Sequence, residues 1–309
     1  MRTPGCDCWF LTGPTASGKT IIGLELARLI DAEIVSLDSM TLYRGMDVGT
    51  AKPTPQQRAM IQHHLIDIID PTQQFSLAAY VDAAQTKIAE IRARGHEVLF
   101  VGGTPLYLKG LLRGIFQGPP ADWPFRQQVQ EEVRTVGTQA LHDRLKLVDP
   151  LSAARLHRND VRRIVRALEV YRLTGQPISH HQLQFDEPSD ARRVFVLDWP
   201  RAELHQRIEC RVQWMFQQGL VDEVRQLLGQ YGRLSRTASQ AVGYRETIGL
   251  VQGLWDQDQT IRLIRTRTHR FVRRQMTWFR SLSECRYISW RQTSTPAEVA
   301  RQIVAAAAE

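Results

Sequence analysis

The residues best suited to do chemistry are Gly13-Pro14-Thr15-Ala16-Ser17-Gly18-Lys19-Thr20. Two glycines with four residues between them, followed at once by Lys and Thr, form the phosphate-binding loop pattern. Backbone N–H groups in such a loop turn inward and join the positive end of the next helix to cradle phosphate oxygens. Lys19 adds a point charge, and the Thr20 hydroxyl is suited to ligate Mg²⁺. The flanks agree: Trp9-Phe10-Leu11 reads as a strand and Ile21 to Ala27 as a helix. The loop implies a bound di- or triphosphate without saying which, or what becomes of it.

Three further places carry candidate chemistry. Asp38 follows the strand-like run Glu33-Ile34-Val35-Ser36-Leu37. An acid there can hold Mg²⁺ through water, act as a general base, or simply cap a turn. Gly102-Gly103-Thr104 ends the apolar run His96 to Val101, where many nucleotide hydrolases carry an acidic metal ligand. The missing acid argues against a plain ATPase. Two glycines let backbone approach a ligand, although a tight strand-to-helix turn ahead of Pro105 reads equally well. Asn159-Asp160 opens a helical stretch bearing Arg162, Arg163 and Arg166, either a solvated basic face or a polyanion contact.

The elements that must position these residues alternate strand and helix through the first hundred positions, with Leu65 to Ile69 a possible third strand. Ser76 reads as the N-cap of a helix to Arg94. The rhythm predicts a parallel sheet covered by helices, with ligands at the carboxyl ends of its strands. It breaks at Gly118-Pro119-Pro120. From Phe125 to about Ser179 the pattern is only helical, with apolar positions at Leu141, Leu145, Leu147 and at Ile164, Leu168, Tyr171. Strand pattern returns at Arg193 to Leu197, and the last third is helical. The reading is an α/β, P-loop NTPase-like parallel-sheet core (1–118 with 192–309), an inserted helical subdomain (119–191) and a helical C-terminal part.

With 309 residues, 43% of them hydrophobic and 23% charged, the chain has a globular composition. No apolar stretch reaches the roughly 18–20 residues of a membrane span, and Met1 to Asp7 does not read as a secretory signal, so the expected compartment is the cytoplasm. Cys6-Asp7-Cys8 is too tight for a zinc site, and with Cys210 and Cys285 these thiols are expected to be reduced and structural. Net charge is +8. Eight arginines and one acid, Glu284, fall between Ile261 and Arg286, the footprint of a polyanion-facing surface.

Several stretches resemble the bacterial tRNA dimethylallyltransferase (tRNA isopentenyltransferase) family. They are Gly13 to Thr20, Asp38-Ser39-Met40-Thr41-Leu42-Tyr43 on to Pro53, His63 to Asp67, and Val101 to Leu108. His157 to Asp160 leading into Arg166 to Tyr171, Gln240 to Glu246, and Arg274-Gln275-Met276-Thr277-Trp278-Phe279-Arg280 complete them. They run in order over nearly the whole chain. The resemblance implies transfer of a dimethylallyl group from dimethylallyl diphosphate to N6 of adenosine 37, beside the anticodon, in tRNAs reading codons that begin with U. Residues 13–20 would then hold a leaving group, with Mg²⁺ at Thr20. Asp38 would be the base, Thr104 would orient the site, and Arg211 would clamp the diphosphate.

The resemblance also implies that Ser39, Met40 and Thr41 line a flipped adenine. The tRNA anticodon stem-loop would meet Thr104, Arg126, Arg162, Arg163, Ile164, Val165, Arg166, Gly243, Tyr244, Arg245 and the basic C-terminal helix. A monomer is expected. Thr41, Pro105 and Arg158 stand where the family usually has Gln, Gly and Pro. Thr at 41 offers fewer hydrogen bonds to a base edge than Gln. The competing readings are an adenylate isopentenyltransferase acting on free nucleotide, a P-loop small-molecule kinase, and an RNA-binding protein with a relic nucleotide site. The kinase leaves Asp38 to Pro53 unexplained, and intact Lys19, Thr20 and Asp38 oppose the relic.

Overall fold

The computed structural model describes residues 5, 7–116, 118–182, 185, 187–291 and 293–309; Cys6 lies outside them. The chain forms two compact units, Met1–Leu112 with Pro188–Glu309, and Arg113–Glu187.

The first unit is built on β1 (Trp9–Thr12), α1 (Lys19–Leu29), β2 (Ala32–Ser36), α2 (Pro55–Met60), β3 (His63–His64), α3 (Leu77–Ala93), β4 (Glu97–Val101) and α4 (Pro105–Arg113). Strands β1 and β2 are buried along their whole length, as strands covered on both faces must be. Ser76 caps α3, its side chain accepting from the Ala79 N–H at 3.1 Å. The second unit holds α5 (Trp123–Val148), α6 (Pro150–Arg155), α7 (Val161–Thr174) and α8 (Ile178–Gln182). The chain then returns with β5 (Val194–Asp198), α9 (Arg201–Gln217), α10 (Leu220–Tyr231), α11 (Arg236–Ser239), α12 (Tyr244–Val251), α13 (Gln257–Arg280), β6 (Arg286–Ser289) and α14 (Pro296–Ala308).

All six strands are parallel, in the order β3-β2-β4-β1-β5-β6. Because β4 lies between β2 and β1, three turns meet side by side at the carboxyl end of the sheet: Asp38 after β2, Gly102-Gly103-Thr104 after β4, and residues 13–18 after β1. Hydrogen bonds lock the turns to one another. Leu37 N–H donates to Val101 O, Gly102 N–H to Leu11 O, and Thr104 N–H to Leu37 O. A Cβ on Gly102 would stand 2.2 Å from the Leu37 carbonyl carbon, so the β2 and β4 turns approach this closely only with glycine there.

Two expectations about strands are corrected. Leu65 to Ile69 is not a strand; the third strand is His63–His64. Leu65 and Asp67 both have φ of 57°, and Asp67 and Ile68 donate backbone N–H groups to Thr41 and Leu42 carbonyls instead. The last third also contains β6, with only Ile288 of its four residues buried, too little periodicity to show in sequence. Within the helical unit, Leu147 is exposed where a core position was expected, and Tyr171 is also largely outside.

The core of the helical unit is Leu141, Leu145, Ile164, Leu168 and their neighbours. A buried charge sits in this unit. Glu169 is 0% exposed and takes a bidentate pair from Arg126 (2.7 and 2.7 Å), one bond from Arg166 (2.6 Å) and the Asp122 N–H (2.7 Å). Removing one partner of a buried pair strands the others. Both arginines keep some exposure and can turn toward water, so Glu169→Ala is expected to lose about 2–3 kcal/mol of stability. Urea unfolding checks this; a loss under about 0.5 kcal/mol would show the cluster to be energetically idle.

Candidate active site

Residues 13–20, which carry the phosphate-binding loop pattern, run from the end of β1 into the start of α1. Gly18 sits at the helix start with φ of 83°, and a Cβ there would stand 2.1 Å from the Trp290 ring. Backbone and space both demand glycine. Trp199 Nε1–H donates to Ser17 O at 3.0 Å and Arg207 Nε–H to Ala16 O at 2.7 Å, so the outer side of the loop rests on α9 and the end of β5. The Lys19 ammonium donates to Gly13 O (3.1 Å) and Pro14 O (2.7 Å).

A cavity of about 170 Å³ opens from this loop, lined by Lys19, Thr20, Asp38, Thr41, Gly102, Gly103 and Arg211 among others. Its remaining wall is largely apolar: Ile34, Ala51, Pro53, Ile66, Val101 and Phe271. The volume is below the ~300–1,000 Å³ of drug-sized sites, room for a short branched hydrocarbon rather than a long chain. A second cavity of about 590 Å³ on the other flank of the loop shares Ala16, Gly18 and Arg211 with the first.

Lys19 and Arg211 are half-buried and border the cavity, and the Asp38 charge reaches both. Burial pushes the Lys19 ammonium down to about 7, against a smaller opposing pull from Asp38. Burial likewise lowers Arg211. Two cations beside one carboxylate leave positive charge that an anion can complete. Arg211 also donates to Thr50 O at 3.1 Å.

Asp38 is oriented by its own turn. Its Oδ1 accepts the Met40 N–H at 2.8 Å, and among the described residues Oδ2 has no hydrogen bond. Thr104 Oγ1 accepts the Ser39 N–H at 3.0 Å, so Thr104 acts on the Asp38–Met40 turn. Thr41 is buried; its hydroxyl pairs with Ser36 Oγ (2.7 Å) and donates to Asp38 O (3.3 Å). It braces the pocket wall where a longer amide would reach outward.

The structure thus gathers Asp38 to Thr41, Thr104, Arg211 and the phosphate loop. Among the other expected contacts, Arg162, Arg163 and Arg245 are exposed. Arg126 and Arg166 are half-buried partners of Glu169. Ile164 and Val165 are core residues of the helical unit, with no side-chain surface to offer an RNA. Gly243 and Tyr244 are buried; the Gly243 N–H donates to Glu246 (2.7 Å) and the Tyr244 hydroxyl to Glu223 (2.6 Å). On α13, Arg262, Arg270, Arg273, Arg274 and Arg280 are exposed. Among the described residues no helix is long and apolar enough to cross a membrane, and no group of three or more His, Cys, Asp or Glu could hold a metal by itself.

Sequence reasoning missed several residues that shape this site. Glu223 accepts the backbone N–H groups of Asp47 (3.0 Å), Val48 (2.7 Å) and Gly49 (3.3 Å), fixing the segment that carries Thr50 and Ala51. Lys52, its side chain 1% exposed, donates to Tyr43 O (2.8 Å) and Asp67 (2.6 Å) and pairs with Asp47. Phe271 closes the apolar wall, and Gln275 joins two of the turns. Lys52, Phe271 and Gln275 lie in stretches whose pattern stands out in sequence, but nothing in those patterns shows what they touch; Glu223 lies in none.

The IPP transferase family model matches residues 41–282. The chain is 49% identical to a protein named tRNA dimethylallyltransferase from Rhodopirellula baltica, over 94% of this chain and 90% of that one. It is 44% identical to the tRNA dimethylallyltransferase of Geobacter metallireducens, over 90% and 91%. Among solved structures it resembles the tRNA isopentenylpyrophosphate transferase of Bacillus halodurans, at 34% identity and TM-score 0.70, covering 98% of this chain and 97% of that one. A eukaryotic dimethylallyltransferase solved acting on tRNA shares the fold, with TM-score 0.76 at 24% identity over 96% of this chain and 77% of that one.

The lowered Lys19 pKa gives a prediction with a definite sign. Above about pH 7 the ligand-free lysine is mostly neutral. A bound polyanion favours the ammonium, so binding takes up a proton and affinity falls as pH rises above about 7. For the ligand-free protein, the unfolded chain binds the extra proton between about 7 and 10.5, so burial of Lys19 costs least at the top of that window. Calorimetry of diphosphate binding at about pH 8, in buffers of different ionisation enthalpy, should show more proton uptake by wild type than by Lys19→Met. Equal uptake would mean that Lys19 is already charged.

Proposed function

The chain belongs to the IPP transferase family, a family of prenyltransferases, and from that membership we propose a specific division of labour in its cavity. The enzyme transfers the dimethylallyl group of dimethylallyl diphosphate to N6 of adenosine 37 in tRNAs reading codons that begin with U. One observation carries this reading: two half-buried basic side chains, Lys19 and Arg211, and one carboxylate, Asp38, line the same small cavity with an apolar wall.

The chemistry follows from that arrangement. The phosphate loop N–H groups, Lys19 and Arg211 neutralise charge developing on the departing diphosphate as the C1–O bond breaks. Ile66, Phe271 and their neighbours enclose the five-carbon group and keep water from capturing the allylic centre. Adenine N6, a weak nucleophile, forms the new C–N bond and gives its proton to Asp38. The Met40 N–H on Oδ1 holds that carboxylate in place. The adenine must leave its stack to reach the cavity.

Mg²⁺ fits as a partner of the substrate. Thr20 lines the cavity, and its hydroxyl would be the protein group to hold a Mg²⁺ that enters with the diphosphate. When bound it supplies further charge neutralisation on the leaving group.

In the first unit the exposed arginines of α13 and Arg245 supply charge to hold the phosphate backbone of an anticodon stem-loop; in the helical unit Arg162 and Arg163 are exposed and suited to phosphate contacts of their own. A tRNA substrate places the reaction in the cytoplasm. A kinase reading is not favoured, since β4 runs into Gly102-Gly103 without an acid.

Labelled dimethylallyl diphosphate, Mg²⁺ and unmodified tRNA should give labelled tRNA, with no label in a parallel reaction on AMP. Label in AMP would make this a free-nucleotide enzyme. Asp38→Ala should reduce turnover by about 10²–10⁴-fold with tRNA affinity kept. A loss under about threefold would remove Asp38 as the base.

A further inference from the structure

Helix α13 presents arginines to solvent on one side and Phe271 to the cavity on another. One turn beyond Phe271, Gln275 is 3% exposed and points into the space between two turns of the site. Its Oε1 accepts the Thr15 N–H of the phosphate loop at 3.0 Å. Its Nε2 donates to Gly103 O, after β4, at 2.6 Å. The chemistry of the partners fixes this orientation, since one offers only a proton and the other only lone pairs. A Cβ on Gly103 would lie 2.8 Å from Nε2, so the glycine makes room for the amide.

The contact continues past Gly103. The next residue, Thr104, holds the Ser39 N–H, and Asp38 precedes Ser39 in the same turn. One buried amide therefore connects the loop that carries the leaving group to the turn that carries the base. Thr15 and Gly103 are not in register through the sheet at this point, because both lie past the ends of β1 and β4. The side chain of Gln275 spans the gap where strand pairing has stopped.

We propose that Gln275 is a positioning residue for prenyl transfer: it sets the separation between the diphosphate loop and the Asp38 turn. The proposal rests on the function proposed above, and deepens it by adding a residue at the cavity's edge whose amide is engaged by backbone of the two turns. Reaction rates are sensitive to such spacing, a displacement of about 1 Å costing up to about 100-fold.

Two variants test it. Gln275→Leu keeps the volume and removes both hydrogen bonds. It should lower kcat by about 10–100-fold, weaken inorganic diphosphate binding, and leave KM for tRNA within about twofold of wild type. Gln275→Glu keeps the acceptor for Thr15, but when ionised it sets a carboxylate against Gly103 O. Protonation restores the donor, so its kcat relative to wild type should rise as pH falls. Should Gln275→Leu not fold, the pH ratio of Gln275→Glu decides the matter. The proposal is overturned if folded Gln275→Leu keeps kcat and diphosphate affinity within threefold of wild type. It is equally overturned if the loss appears only in KM for tRNA, or if the Gln275→Glu ratio is flat with pH. If wild type itself transfers no label to tRNA, the functional reading fails, while diphosphate affinity still reports on the strut.

Discussion

Everything at the site depends on two half-buried basic side chains, Lys19 and Arg211, lining one cavity with the Asp38 carboxylate. Burying Lys19 and Arg211 disfavours their charged forms, as the lowered Lys19 pKa records. Asp38 offsets part of that cost for both. On the proposed reading a diphosphate meets the positive charge that is left, and the attraction grows as the bond to the leaving group breaks and negative charge gathers on it. Ground-state binding and transition-state stabilisation thus draw on the same groups, the second more strongly because more charge has accumulated.

Such an arrangement needs a rigid surround, since misplaced charges in a small cavity help little. The sheet supplies part of it through the adjacent turns after β2, β4 and β1. Side chains far away in sequence supply the rest. Glu223 gathers three consecutive backbone N–H groups of the 47–49 segment, and Lys52 ties Tyr43, Asp47 and Asp67 together. Glu246 caps Gly243 and pairs with Arg267. Each is a charged group held mainly by backbone or by an opposite charge, the condition under which low-exposure charges are tolerated. The apolar wall then needs only a few side chains, because the hydrocarbon to be enclosed is short.

The arginine bias serves different purposes at different positions. Arg126 and Arg166 are spent on Glu169 inside the helical unit. Arg207 lies over Trp199 and Trp290 and bonds Ala16 O, stiffening the phosphate loop from outside. Those left in water on α13 and at the start of α7 are the ones available to an RNA backbone. Composition reports all of them alike, and only their partners sort them.

The sequence by itself determined what local rules govern. The phosphate loop, the Ser76 cap and the parallel α/β core were legible because glycine spacing, capping and hydrophobic period act over a few residues; the family was legible only by resemblance, through stretches such as Asp38 to Pro53. Asp38 was legible as a strand-end acid beside that loop. Leu65 to Ile69 misled because β-rich composition says nothing of the left-handed backbone at Leu65 and Asp67, imposed by pairing with Thr41 and Leu42. Strand β6 was invisible because an edge strand with one buried residue has no pattern to detect. Only the tertiary structure decided what Gln275, Glu223 and Phe271 do, since the backbone groups that Gln275 and Glu223 hold lie 172 to 260 positions away and Phe271 faces a cavity. It also decided that Ile164 and Val165 are core and that the surroundings of Lys19 disfavour its charged form. Burial and long-range contact set those properties, and a linear pattern carries neither.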